Sequence, residues 1–371
     1  MARGDGLSDR CHPAGVLPSI SPSLQATRCI CRNAYRARRY ISAAGLFASH
    51  MIGVVRMTSR SIAVLAAVLC AAISTTASAA PAGVAAIQAR LTNPQGGLVV
   101  VAHRGCHAAA PQHGFTDTAP ENSLAALERC IAIGADVMET DVRRAADGTL
   151  VMLHDATVDR TTDGSGKLSD LTLADLQKLR LRSDEGGAQA PLTDQRVVTL
   201  EQMLAKAKGH ILLNLDVKDA IYVQVIDAVA RAGMQHQVIV KTEAGIFTAP
   251  LAAMPPFNTV YFFPILINAH GTADLAAIAT AQARNAHPMA FELPKMAAAQ
   301  LPALVAVSRK HNVRLMVNSL WEGFIAGYGG DADAERDPNK VWGRMYRDGV
   351  SIIQTDAPEA LLRYRATLEA R

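Results

Sequence analysis

Two histidines and three acidic side chains, each placed where an apolar run gives out, are the residues of this 371-residue chain best suited to chemistry. His103 follows the run at 98–102 and His154 ends the run at 149–153. Glu139 and Asp141 sit near the end of the run at 136–142, and Asp216 near the end of 210–217. Burying unpaired charge or imidazole costs several kcal/mol per group, so such groups at strand ends point to one shared polar site. Three carboxylates with no sulfur beside them suit one hard divalent cation, Mg2+ or Ca2+. Two imidazoles suit proton transfer to and from a reacting group. Arg104 and Lys218 lie beside the set and add positive charge.

Strands must bring these groups together. Nine short apolar runs, at 98–102, 136–142, 149–153, 210–217, 237–241, 259–264, 288–292, 313–318 and 351–355, alternate with Ala-rich segments, most of them of helical period. Leu124, Leu127 and Ile131 before Gly134 show that period. The alternation predicts an α/β fold with a parallel sheet, and eight such units in roughly 290 residues predict a distorted (β/α)8 TIM barrel. One strand is then surplus. No helix fits between Asp141 and His154, and Asp147-Gly148 signals a two-residue hairpin turn. The second strand is therefore expected to return on itself, with Ala146 facing Thr149 and Asp141 facing His154. Strand parity puts Glu139 and Asp141 on one face, and likewise Asn214, Asp216 and Lys218, with Leu213, Leu215 and Val217 on the other. A polar row near the C-terminal end of an apolar strand is what an active-site face of a barrel shows.

Composition narrows the function. Half the residues are apolar and the formal charge is +4, but nine of the 37 basic residues and two of the 33 acidic ones lie in residues 1–79. The rest of the chain is weakly acidic, which argues against a nucleic-acid partner. Within the leader, Arg60, the apolar stretch 62–73 and Ala77-Ser78-Ala79 form an export signal over 57–79. That stretch is shorter than the about 20 residues of a membrane span, so no stable span is expected and the 80–371 domain is expected to be exported, periplasmic or secreted. Residues 1–56 have neither hydrophobic period nor helix caps and are expected to be disordered or an over-extended reading frame.

Several residues carry a structural reading first. Thr118 and Glu121 fit a capping box, although Glu121 could equally serve the site. Thr355-Asp356-Ala357-Pro358 reads as the cap of the last helix, and Asp331, Asp333, Glu335 and Asp337 as a solvated loop. Cys106 directly follows the first strand, whereas Cys130 lies about nine residues into the next helix, roughly 13 Å along its axis. A disulfide needs Cα atoms within about 7 Å, so two free thiols are expected. Trp321, Phe324, Tyr328 and Trp342 lie in or beside the long segment after 313–318, either packed in the core or lining a specificity loop.

The order of five motifs resembles the glycerophosphodiester phosphodiesterase family. They are His103-Arg104-Gly105, Pro120-Glu121-Asn122-Ser123, Glu139-Thr140-Asp141, His154-Asp155, and Arg160-Thr161-Thr162 with Gly164 and Gly166. Asp216-Val217-Lys218 stands where the family usually has Glu-x-Lys, and Leu315-Met316 replaces the Trp-Thr that precedes Val317-Asn318. The resemblance implies a distorted TIM barrel and one cation held by Glu139, Asp141 and Asp216. It also implies acid–base catalysis by His103 and His154 on a small-molecule glycerophosphodiester, yielding glycerol 3-phosphate and an alcohol. Arg104 and Lys218 would face the phosphate. Glu121 and Asn122 would brace or join the cation site, and Asn318, Trp321 and Glu292 are candidates for the substrate pocket. A sphingomyelinase D-like phospholipase D shares the histidines and the carboxylates. The Pro-Glu-Asn-Ser and His-Asp with Arg-Thr-Thr motifs favour the first family.

Overall fold

All nine expected strands form. In the computed structural model, which describes residues 83–267 and 274–370, eight of them run parallel: β1 (Val99–Ala102), β2 (Val137–Arg144), β4 (Leu212–Val217), β5 (Val238–Ala244), β6 (Tyr261–Leu266), β7 (Ala290–Leu293), β8 (Arg314–Asn318) and β9 (Ile352–Thr355). Pairing of β1 with both β9 and β2 closes the ring into a TIM barrel. The described residues belong to one compact unit, 76–371. The expectations for residues 1–56 and 57–79 lie outside the described residues. No helix among the latter is long and apolar enough to cross a membrane.

Alternation of side chains builds two layers from each strand. Val99, Val101, Val137, Leu212, Ile239, Phe263, Ala290, Met316 and Ile352 fill the lower interior, and helix α1 (Val84–Thr92) plugs that end with Ile87 and Leu91. Leu213, Leu215 and Val217 face outward into the helix layer. Above this apolar layer the inward residues are polar and form the candidate site, whereas below it Arg314 donates to the carbonyls of Arg90, Leu91 and Ser351 and ties the plugging helix to the barrel.

The surplus strand β3 (Leu150–Met152) pairs antiparallel with β2, as a hairpin requires, but one residue out of the expected register. Arg144 faces Leu150, the Ala145 N–H bonds the Thr149 carbonyl at 2.9 Å, and the Leu153 N–H bonds the Asp141 carbonyl at 3.1 Å. The turn holds three residues, Ala146 to Gly148, because Gly148 adopts φ +86° and adds the extra step of a bulged turn. Asp141 therefore faces Leu153, and His154 lies one residue beyond.

After β3 the chain makes a longer excursion than expected. Val158, Leu168, Leu176, Leu181 and Val197 close a satellite core on Val151 and Leu153, before helix α4 (Leu200–Ala207) resumes the barrel pattern. Within it lies the short α3 (Leu173–Leu176). Helix α2 (Leu124–Ile133) is capped by Ser123, whose Oγ accepts from the Ala126 N–H at 3.1 Å. The Thr118–Glu121 capping box does not form: the N-cap is Ser123, five residues beyond Thr118, whose hydroxyl bonds Ser183 instead.

The two free thiols are also corrected. Cys106 and Cys130 form a disulfide with Cα atoms 5.1 Å apart. Measuring along the helix axis overlooks the path of the loop. Arg104 (φ +51°) and Gly105 (φ +90°) turn the chain sharply at the end of β1, so Cys106 drops back beside the middle of α2. Gly105 is required there, since a Cβ would stand 2.7 Å from Met138 Cε and 2.8 Å from Ala126 Cβ.

Candidate active site

Glu139 and Asp141 point inward from β2, and the parallel register places Asp141 beside Asp216 of β4. Carboxylate oxygens of all three lie within 4.8 Å of one another. Glu139 and Asp141 are buried and Asp216 is about three-quarters buried. Around them stand three cations. Lys218 Nζ is 3.1 Å from Asp141 and 2.9 Å from Asp216. Lys241 Nζ is 3.5 Å from Asp216, 3.8 Å from Glu139 and 3.3 Å from Glu292. Arg104 Nε is 4.0 Å from Asp141, and its backbone N–H donates to Glu139 at 2.9 Å.

Burial and the neighbouring Asp141 charge push the Glu139 carboxyl up to about 7, while Asp216, despite its burial, is held below the usual range by Lys241 and Lys218. Asp216 thus ionises readily while Glu139 resists. An added divalent cation relieves that conflict, and an all-oxygen donor set suits a hard one. The Asn214 side chain, next to Glu139 across the register, is wholly buried with neither amide atom hydrogen bonded. A divalent cation therefore fits these three residues.

Asn122 does not join the carboxylates but orients one of them. Its left-handed backbone (φ +56°) aims the amide so that Nδ2 donates to Asp141 at 2.9 Å and Oδ1 accepts from the Asp141 N–H and the Thr140 hydroxyl. Glu121 stands apart from the triad and binds two guanidiniums, Arg104 at 2.9 Å and Arg160 at 2.8 Å.

Both histidines line the same cavity of about 650 Å3 as the triad. His103 is buried and its Nδ1 lies 2.8 Å from Asp356 Oδ1. Burial lowers the basicity of its ring, but the Asp356 bond and the Glu139 charge outweigh it and the net displacement is upward. His154 Nδ1 lies 2.7 Å from Asp155 Oδ1. Asp155 is in turn gripped by Arg160 Nε and Nη2 at 2.8 and 2.9 Å, which hold its carboxyl far below the usual range. With each Nδ1 engaged, each Nε2 is the nitrogen left for a reacting group.

The cavity continues upward from the charged floor. Asn318 and Gln354, register partners on β8 and β9, are buried there, each with an amide oxygen lacking a partner. Trp321, 61% exposed, packs at a tilt against Phe324, ring centres 4.7 Å apart, on the rim. Glu292 lies at the floor as the partner of Lys241. Trp342 and Tyr328 instead belong to the core.

Some site residues escaped the sequence reading. Asp356 does not cap helix α10 (Pro358–Glu369), whose N-cap is Ala357 without a side-chain bond. The Thr355 hydroxyl accepts from the Ala357 N–H, which frees Asp356 for His103. Ring closure was the available signal, because β9 must lie beside β1 and Thr355 pairs with Ala102. The expected solvated acidic loop is also corrected. Asp331 is buried and accepts from the Asp356 N–H at 2.7 Å and the Ser319 hydroxyl at 2.5 Å. Lys241 gave no motif signal, since it is a lone cation at the end of an apolar run and its partners Asp216 and Glu292 lie on other strands.

The family described as the glycerophosphoryl diester phosphodiesterase family matches residues 103–248, and a domain of unknown function matches residues 262–365. A glycerophosphodiester phosphodiesterase of Caldanaerobacter subterraneus subsp. tengcongensis is 28% identical over 274 residues, 71% of this chain and 96% of that protein. Human glycerophosphodiester phosphodiesterase 1 is 38% identical over 136 residues, which span 35% of this chain and only 36% of the human protein. Among solved structures, a glycerophosphoryl diester phosphodiesterase from Parabacteroides distasonis superposes with a TM-score of 0.57 at 21% identity, covering 77% of this chain and 93% of that one.

Proposed function

Since the chain is an enzyme of the glycerophosphodiester phosphodiesterase family, we propose that it hydrolyses glycerophosphodiesters to glycerol 3-phosphate and an alcohol, using one divalent cation, Mg2+ or Ca2+, and two histidines. The observation that carries this reading is the meeting of two Nδ1-anchored imidazoles and three carboxylates at one cavity.

Glu139, Asp141 and Asp216 would hold the cation, which when bound polarises a phosphoryl oxygen. Arg104 and Lys218 offset the negative charge of the bound diester. One imidazole accepts the proton of the attacking hydroxyl through its free Nε2, and the other, protonated, donates to the departing alkoxide. The attacking hydroxyl is the substrate's own, on the glycerol carbon next to the ester. Attack within one molecule avoids much of the entropy cost of bringing two reactants together, worth up to about 7–11 kcal/mol in ideal cases. Water then opens the cyclic phosphate. Trp321, Asn318 and Glu292 form part of the surface that meets the rest of the substrate.

Phosphorus NMR of the products, with metal-replete enzyme acting on glycerophosphocholine and its 2-deoxy analogue, tests this. Turnover of the first only, abolished by chelation and restored by Mg2+ or Ca2+, is expected. Equal turnover of the two excludes the internal nucleophile, and turnover that survives chelation excludes the cation.

We also propose that residues 57–79 are an export signal and that the 80–371 domain works outside the cytoplasm. The Cys106–Cys130 bond supports this, since disulfides persist in oxidising compartments. N-terminal sequencing of the protein recovered from the periplasm or medium should begin near Ala80.

A further inference from the structure

One buried ionisable side chain at the site has no part in the chemistry above. His107 lies four residues past His103, 4% exposed, with Nδ1 2.6 Å from Asp184 Oδ1 and Nε2 3.3 Å from Asp356 Oδ1. That Asp356 oxygen is the one that meets His103 Nδ1 at 2.8 Å. The side chains form a line, His103, Asp356, His107 and Asp184, drawn from the loop after β1, the end of β9 and the excursion after β3.

We propose that His107 is a positioning residue: by bridging Asp356 to Asp184 it fixes the carboxylate that orients His103, so that His103 Nε2 faces the reacting atoms. The inference rests on the two-histidine reading given above. Its physical basis is what Asp356 would lack without it. The Asp356 side chain is 26% exposed and stands at a strand end, and among the described residues its carboxylate bonds to the two imidazoles. Its backbone is pinned by the bond from its N–H to Asp331, which leaves the carboxylate orientation to its imidazole partners among the described residues. Asp184, by contrast, is held at both backbone ends, its N–H by the Ala119 carbonyl and its carbonyl by the Glu121 N–H, in a left-handed conformation (φ +58°). His107 thus ties the Asp356 carboxylate to a residue whose backbone is anchored at both ends.

The two acceptors also fix the charge of the bridge. Both neighbours are carboxylates, which only accept, so both ring nitrogens must donate and the bridge is an imidazolium. Burial opposes that charge, but the bonds to Asp184 and Asp356 overcome it and raise the ring to about 9. A shared oxygen facing a permanent donor on one side keeps its remaining lone pair for the His103 Nδ1–H. That holds neutral His103 in the tautomer whose Nε2 accepts a proton.

A double-mutant cycle on the full chain separates positioning from simple stapling of the two loops. His107→Phe keeps a flat ring, somewhat larger than imidazole, and removes both donors. It should lower kcat on glycerophosphocholine about 10- to 100-fold with KM changed less than about twofold, the size expected of misorientation. Combined with Asp356→Asn it should cost nothing beyond Asp356→Asn alone. His107→Gln, which can serve one carboxylate but not both, should fall between and guards against a misfolded Phe variant. Losses that multiply in the double variant, or an unchanged kcat in both single His107 variants, overturn the proposal. A readout without turnover is the nitrogen-15 spectrum of the His103 ring. It should show the Nδ1–H tautomer in the parent and a mixture in His107→Gln; an unchanged ring overturns the proposal even if no diester is hydrolysed. Absent turnover with a changed ring would instead count against the hydrolytic reading alone.

Discussion

His103 and His154 each direct Nδ1 at a carboxylate, 2.8 Å to Asp356 and 2.7 Å to Asp155, yet the two pairs are built from different material. His103 sits inside the ring of strands. Its backbone N–H bonds the Thr355 carbonyl, so closure of β9 on β1 sets both the imidazole and its partner. His154 hangs on the returning arm of the hairpin with its side chain one-third exposed, and its partner is the next residue in sequence. What steadies that pair is an ionic chain running from Asp155 through Arg160 to Glu121 and Arg104. One imidazole is thus placed by topology and the other by electrostatics, and the two placements differ in what would disturb them.

Replacing either imidazole should have the largest effect. His103→Ala and His154→Ala are each expected to lower kcat by about 10²- to 10⁴-fold, the usual contribution of a positioned acid or base. A substrate with a p-nitrophenolate leaving group needs no proton on departure, so it should restore the rate of one variant and not the other. Rescue of both, or of neither, breaks the division of roles.

The next effect falls on the electrostatic side alone. Arg160→Met removes the clamp on Asp155 and leaves Glu121 with Arg104 only. A kcat loss of about 10- to 100-fold is expected, of the size that misplacement by an ångström produces. Proteolytic cutting within 155–198 should rise, because the excursion loses ties from Arg160 to Glu121 and to the Glu185 carbonyl. Limited proteolysis of parent and variant checks this, and uniform cutting over the whole barrel would show that the clamp serves the fold and not the site.

This contrast also marks what the sequence could disclose. Glu139, Asp141, Asp216 and the two histidines were legible because a strand's end and its period of two are local properties. Asp356 was not, because its role depends on the last strand meeting the first, and the local pattern before Pro358 reads as a cap. His107 and Asp184 are 77 residues apart, and no periodicity links them. The barrel itself was visible in the alternation of runs. The hairpin register slipped by one because Gly148 adds a residue that a two-residue turn does not count. The disulfide was missed because distance along a helix says nothing of a loop that doubles back.

Between the two imidazoles, the carboxylate triad should respond to pH. The Glu139 carboxyl, raised to about 7 in the folded protein, must lose its proton to bind a cation. Affinity for Mg2+ or Ca2+ should therefore fall as pH drops below about 7, by up to about tenfold per unit. Its folded value lies above the ordinary carboxylate range, so ionising it opposes folding. The metal-free protein should lose stability as pH rises from about 4.5 to 7, and the cation should restore it most at the upper end. Calorimetric titration at several pH values, with melting curves beside it, measures both, and a cation affinity flat across this range would show that Glu139 is not a ligand.

The smallest effect on activity is expected from the covalent tie. The Cys106–Cys130 bond closes a loop of sequence separation 24 and fastens the segment after His103 to α2. Chain-entropy arguments give such a loop about 3 kcal/mol of stability, so Cys106→Ala with Cys130→Ala should lower the denaturant midpoint accordingly. If ring closure places His103, kcat below the new midpoint should change by less than about threefold, well short of an oriented group lost. The backbone bond to Thr355 and the contact with Asp356 both survive the change. A kcat loss as large as that expected of His107→Phe would move the anchor of His103 from the strands to the loop, and the two imidazoles would then differ less in origin than their surroundings imply.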